Sequence, residues 1–335
     1  MACENIAQVP TIINCNRTSF LDTSEFQTNF LHCLGCFAIP VHIFGAYCIL
    51  FKTPLSMSSV KWSLLNFHAS SCFLDFLLSI LTTPYLFIPA LAWYSTGFFN
   101  YIGISLAVQA YIIMASLGLV IVSVILIFEN RLRILLSRTN YWHYLRYPWL
   151  LMNYLIAVLY FLPTYLNIPD QECARKFIRA EYSCIPEYVK FDSLFFVATY
   201  VDFHLFVYTL MNQFFFAQVV VFAILTDRIL KWQMIRNVSK STIRMQRAFQ
   251  RALIIQVAIP ISIIFTPLVY AGFSSLYHFH YQYLNNISVI VVSSHGFFST
   301  IAMLTIHRPY RIYTKNLINY QVFVRTGGSR SSGIS

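Results

Sequence analysis

The chain is 335 residues long, 58% hydrophobic and 10% charged, with a formal net charge of +11. A soluble globular domain carries about 25% charged residues, so the composition excludes one and places the chain in a membrane. The positive charge lies in loops between apolar runs, which points to anionic lipid head groups as its partner and away from nucleic acid.

Residues 1–25 are polar and mixed. They lack the basic start, short apolar core and small-residue cleavage site of a signal peptide, so they are expected to form an extracellular amino terminus, with the first apolar helix directing insertion. Seven apolar runs follow, at about 30–51, 62–88, 102–128, 148–168, 203–225, 252–273 and 287–306. Each can cross the hydrocarbon core, since about 20 helical residues cover ~30 Å. None alternates as the strands of a membrane barrel do. The expected fold is an all-α membrane protein, a seven-transmembrane helix bundle over residues 26–311 with a tail at 312–335.

The loops orient the bundle. Those after the first, third and fifth runs, with the tail, hold all the Lys and Arg except Arg17, Arg175, Lys176, Arg179 and Lys190. By the positive-inside rule the amino terminus lies outside and the carboxyl terminus inside. Asn16-Arg17-Thr18 is then a glycosylation sequon on the outer side. Asn286-Ile287-Ser288, at the outer mouth of the seventh run, has no room for a glycan.

The second run carries Asp75, the one acid deep in apolar sequence. Unpaired there it would cost a few kcal/mol, so it must face the bundle, as a polar hub or as a packing hydrogen bond. The third run, Tyr101 to Arg131, stops on Glu129-Asn130-Arg131, a membrane-water boundary at its inner end. Gln109 and Tyr111 in its outer half, Asp202 and His204 heading the fifth run, and Tyr270 near the outer end of the sixth are candidates to line an outward-facing ligand cup. Each also fits ordinary boundary placement of polar and aromatic residues.

Prolines at 40, 84, 163, 260 and 267 fall within the apolar runs and are expected to kink their helices. Pro260 and Pro267 together would let the sixth helix swing its inner end. Arg244, Arg247 and Arg251 recur at helical spacing and form one face of a cytoplasmic extension of that helix, a surface for a partner or for anionic lipid.

Cys33, Cys36, Cys48 and Cys72 lie inside apolar helices and act as small apolar residues. Cys173, Cys184 and Cys15 lie on the oxidising side, where Cys173 with Cys184, or either with Cys15, are the possible bridges. No nucleophile elbow, paired-His metal helix or phosphate loop is present, so no enzyme, cofactor or metal site is expected.

The chain resembles the nematode seven-transmembrane chemoreceptors of serpentine receptor class H, within the rhodopsin-like G-protein-coupled receptor superfamily. The residues that carry the resemblance run from end to end: Pro40 to Gly45, Lys52-Thr53-Pro54, Asp75, Pro84-Tyr85, Glu129-Asn130-Arg131, Met245-Gln246-Arg247, Ile259-Pro260, Ser294-His295-Gly296 and Pro309-Tyr310-Arg311. The resemblance implies detection of an odorant or other small-molecule ligand at the plasma membrane of a sensory ending, in neuronal cilia, and coupling to a heterotrimeric G protein. Glu129, Asn130, Arg131 and the three arginines of the sixth helix would face that G protein. The sequence departs from the wider rhodopsin-like pattern at Asn130, which separates the acid from Arg131 and moves the arginine ~100° round the helix. It also has no cysteine at 98–105 for the usual bridge to the second outer loop. The rival classes are a ligand-gated ion channel, which needs several polar residues lining a pore, and a transporter, which usually shows internal repeats. A peptide ligand is a third alternative.

Overall fold

Ser19 and Thr23 open the first helix. Thr23 accepts the Phe26 N–H at 3.2 Å and satisfies one of the donors every helix start leaves unpaired. The computed structural model describes residues 19–88, 90–136, 140–181, 184–198, 201–235, 240–277 and 279–327. From Thr23, α1 spans Ser24–Phe51 and runs through Pro40. It is followed by α2 (Ser58–Phe76), α3 (Leu106–Leu135) and α4 (Trp142–Leu159). Next come α5 (Val201–Ile235), α6 (Lys240–Leu276), α7 (Gln282–Ser293), α8 (His295–Ile306) and α9 (Arg308–Gly327).

Six helices are each long and apolar enough to span a membrane, and α7 with α8, bent by 42° between them, makes a seventh when taken as one broken span. The centre of the bundle is α3, which packs on α2, α4 and α5, while α8 closes the ring against α1, α2 and α6. Leu64, Phe67, Ile125, Ile127, Phe215 and Tyr310 are buried together in its core. Where α3 crosses α4 the backbones are in contact: a Cβ on Gly118 would stand 2.5 Å from the Ala157 carbonyl oxygen. Small residues permit this close approach, the usual way apolar helices associate in lipid.

Several helix ends differ from the sequence expectation. The second run was expected to stay helical to Ile88 with a kink at Pro84. Instead α2 loosens into a π-helical segment, Leu77–Leu81, and Pro84 begins a strand. The cause is local: Pro84 has no N–H with which to continue the helix, and Thr83 before it leaves the right-handed helical region altogether, at φ 37°. At Pro163 the helix is interrupted but not ended: Tyr160 and Phe161 keep right-handed helical conformation between α4 and the segment Leu162–Leu166, whose first turn holds Pro163, and the two together form one span, Trp142–Leu166. Glu129-Asn130-Arg131 does not end the third helix. It lies inside α3, which continues to Leu135.

At the end of the bundle that carries the start of α1 and α7, the connecting loops fold into a small sheet. Strands β1 (Pro84–Phe87) and β2 (Ala92–Ser95) form an antiparallel hairpin, Tyr85 opposite Tyr94, and β3 (Phe195–Phe196) adds to β2. The amphipathic helix Gln171–Glu181 packs on β3, and Tyr85, Phe87, Ile178, Phe191 and Phe196 close a separate apolar core. Strand β1 is an edge, and its carbonyls need donors from elsewhere. Side chains of α1, α7 and the loop before α7 supply them: Gln27 donates to Pro84 O at 2.8 Å and Gln282 to Leu86 O at 2.9 Å, and just past the strand His280 and Asn285 donate to Ile88 O at 2.6 and 3.4 Å. The sheet is thereby pinned to α1 and α7.

Candidate functional site

At mid-span, α2 carries Asp75 into the break between α7 and α8. Ser294, at the start of α8, turns its hydroxyl back to Val291 O and leaves the new helix uncapped. Asp75 takes over. Its Oδ1 accepts the Gly296 N–H at 3.1 Å and its Oδ2 the Phe297 N–H at 2.7 Å, placing a carboxylate at the positive end of a helix. Both oxygens also meet imidazoles, His295 Nδ1 at 2.8 Å and His42 Nε2 at 3.3 Å. His42 Nδ1 lies 3.1 Å from Thr300 Oγ1 on α8, and His68 Nε2 donates to the His42 carbonyl at 3.0 Å. Asp75 is thus buried, as its place in the sequence required, and ties α1, α2 and α8 through one carboxylate.

Towards the end of the bundle away from the sheet, Glu129 and Arg131 are both buried but take different partners. The Glu129 carboxylate accepts from Trp142 Nε1 and from Arg146 Nε, each at 3.0 Å, both on α4. Asn130 donates to Ser59 O at 2.8 Å on α2 and accepts from Arg133. Arg131, 4% exposed, reaches across to α6: its Nη2 donates to the Gln246 side-chain oxygen and to the Gln246 carbonyl, and its guanidinium stands 5.0 Å from the Phe249 ring. Its Nε is buried without a hydrogen-bond partner among the described residues, as is that of Arg247. Arg244 and Arg251 are exposed. Three adjacent residues of α3 therefore face three different helices, a consequence of the ~100° turn per residue.

The chain as a whole has counterparts among known proteins. Residues 22–320 match the family of serpentine type seven-transmembrane chemoreceptors, Srh, a group of G-protein-coupled receptors. The chain belongs to this family. It is 28% identical to serpentine receptor class H-72 of Caenorhabditis elegans over 308 residues, 89% of this chain and 87% of the relative. The crystal structure of squid rhodopsin superposes with a TM-score of 0.52 over 98% of both chains at 10% identity, which establishes the rhodopsin fold. The protein is accordingly a multi-pass membrane receptor of a chemoreceptor family, not a member of an enzyme family.

In this serpentine receptor the residues expected to line an outer cup are dispersed. Gln109 is buried and donates to Ile104 O, one turn back on its own segment. Tyr111 donates to Val158 O on α4 at 2.8 Å and packs edge-on to Tyr165. Tyr270 donates to Asn285 Oδ1 on α7 at 2.9 Å. No hydrogen bond or ring contact among the described residues joins these three. Asp202 and His204 fall in the first turn of α5, with side chains outside the described residues. Pro267 lies within α6, as does Pro260, whose side chain is likewise outside. Cys173 and Cys184 are both disulfide-bonded, while Cys15 and Asn16 lie outside the described residues. Asn286 is fully buried and bonded to the carbonyls of Leu21 and Thr23.

Sequence reasoning missed Gln246, His42, His295 and the amides Gln282 and Asn285. Each acts on a residue far away in the chain. The local signal was polarity inside an apolar run for His42 and His295, and polar residues at i, i+3 and i+4 just before the seventh run for Gln282, Asn285 and Asn286; Gln246, in a basic stretch, gave none.

Proposed function

We propose that this receptor detects a small molecule or odorant on its outer side and activates a heterotrimeric G protein on its inner side, with its amino terminus outside and its basic loops in the cytoplasm. The plasma membrane of sensory-neuron cilia is its expected site of action. The observation that carries the reading is the Arg131–Gln246 bond, a latch between α3 and α6 in which a guanidinium meets a neutral acceptor, beside two guanidinium nitrogens without a partner among the described residues. Unlatching α6 would open a groove lined by Arg131, Glu129 and Asn130 on one side and by Arg244, Arg247 and Arg251 on the other. A ligand favours that state only by binding it more tightly than the latched one. The outer cup would draw on Gln109, Tyr111, Asp202, His204 and Tyr270 once the contacts to α4 and α7 are exchanged, and Pro260 and Pro267 would let α6 move.

The experiment is a ligand screen with a G-protein readout in transfected cells, run on the unaltered receptor and on Arg131→Ala. Loss of the response with surface delivery intact supports the reading. A ligand-evoked current that persists without G-protein signalling would place the protein among channels.

A further inference from the structure

The seventh span ends at Ile306, and a single residue, His307, turns the chain into α9. Its backbone is extended, at φ −75° and ψ 115°, while its side chain meets α6 and is only 2% exposed. Its Nε2 stands 2.6 Å from Gln256 Oε1, and its ring lies 5.6 Å from that of Phe249, whose face also carries the Arg131 guanidinium. An amide oxygen only accepts, so Nε2 holds the proton of the neutral ring. Tyr310 of α9 flanks the ring at 5.9 Å and is anchored in turn to Thr53, just past α1, at 2.8 Å. Helix α6 is thus tied at two levels, to α3 through Gln246 and to the α8–α9 junction through Gln256.

A second proton on His307 would find no counter-charge. At this end of the bundle the segments 52–61, 128–147, 226–251 and 307–335 contain two acids, Glu129 and Asp227, and these are bonded to Arg146 and Lys231. The charged groups around the ring are cations: Arg131 behind Phe249 on α3, and the exposed Arg308 and Arg311 on α9. An imidazolium held there is out of water with no anion beside it, which is costly. We infer that His307 is a proton-operated second latch on α6, closed while its ring is neutral and released when the ring takes up a proton. Burial holds its pKa down at about 4 in the latched arrangement. Once α6 leaves, the ring is hydrated and titrates near the ordinary value of ~6.5. The released arrangement therefore binds the proton more tightly, and acid on this side of the membrane favours it. The inference rests on the reading that α6 swings away from α3, and adds the proton as an effector of that step.

The test reads the separation of α3 and α6 directly. Spin labels are placed on Ile134→Cys and Ser241→Cys, both exposed, with the exposed Cys33 and Cys36 changed to Ser, and the distance is measured by pulsed electron resonance in lipid nanodiscs. From about pH 7.5 to about pH 5.5 the ratio of separated to latched receptor should rise about tenfold, as the two pKa values require. His307→Gln keeps a donor for Gln256 without a titrating ring and should abolish the rise. Gln256→Glu gives the imidazolium a carboxylate and should reverse the response, acid now closing the helices. A ratio indifferent to pH, or one that rises equally in His307→Gln, overturns the inference. So does a Gln256→Glu response of unchanged sign, which decides the matter even if His307→Gln does not fold. Gln246→Ala distinguishes this inference from the Arg131 latch: separation in that variant without any pH response defeats the His307 inference alone, whereas no separation in it, while the unaltered receptor opens in acid, supports His307 and contradicts the Arg131 latch.

Discussion

Glu129 is bonded to Arg146 at 3.0 Å on α4, and not to Arg131 two residues along its own helix. The pairing frees Arg131 for α6 and makes the C-terminal end of α3 a node between α4 and α6. Because the Glu129 side chain is fully buried and that of Arg146 only 17% exposed, the pair lies out of water. Truncating one member of such a pair leaves the other charge unpaired, at a cost of about 3–5 kcal/mol. Glu129→Ala should therefore lower the thermal unfolding midpoint of the purified receptor strongly. Glu129→Ala with Arg146→Met should recover much of the loss.

Gly296 makes a second, steric prediction. A Cβ there would stand 2.7 Å from Asp75 Oδ2 and 2.8 Å from the Ser71 backbone carbonyl oxygen. Gly296→Ala has to displace either the carboxylate that caps α8 or the backbone of α2, and overpacking of this kind costs about 1–3 kcal/mol. Asp75→Ala removes the cap while leaving Gly296 unstrained. Both should raise amide exchange in the first turn of α8, and the double variant should cost less than the sum because both act on one contact. Strictly additive effects would show that the two residues do not act together.

His280 gives the outer sheet a dependence on pH. Its Nδ1–H donates to Ile88 O, and its ring lies 4.7 Å from that of Phe87, while Nε2 is buried without a hydrogen-bond partner. Burial holds its pKa below the usual value, against the opposing pull of the Ile88 carbonyl and Asp22. A histidine whose folded pKa is depressed binds protons more readily when unfolded. Its contribution is thus complete above the unfolded pKa of about 6.5 and is lost as pH falls below it. The unfolding temperature should drop on acidification, and His280→Phe, which keeps a ring against Phe87, should shrink that drop. An unchanged pH profile in the variant would remove His280 from the account.

Much of the bundle was legible in the sequence because hydrophobic continuity is a local property: each span is announced by its own residues. The end of α2 was legible too, in Thr82-Thr83-Pro84, had the missing N–H of Pro84 been weighed above the apolar residues that follow. Long-range pairings were not. Gln246 meets Arg131 across 115 residues and Gln282 meets Leu86 across 196, and nothing near either residue in sequence specifies the partner. The partners of the candidate cup residues were not legible for a related reason. Tyr111 and Tyr270 sit at the expected depth, but their hydroxyls have found carbonyl or amide partners on neighbouring helices. Depth in the membrane does not reveal the direction in which a side chain is satisfied.

The central claim is that Arg131 and Gln246 latch α3 to α6 and hold the receptor silent. Basal nucleotide exchange on co-expressed G protein, normalised to surface receptor, tests it without knowledge of the ligand. Gln246→Ala removes the side-chain acceptor and should raise basal exchange, whereas Gln246→Glu replaces a neutral acceptor with a charged one, strengthens the bond and should lower it. Equal basal exchange from both variants and the unaltered receptor, at equal surface levels, would contradict the latch.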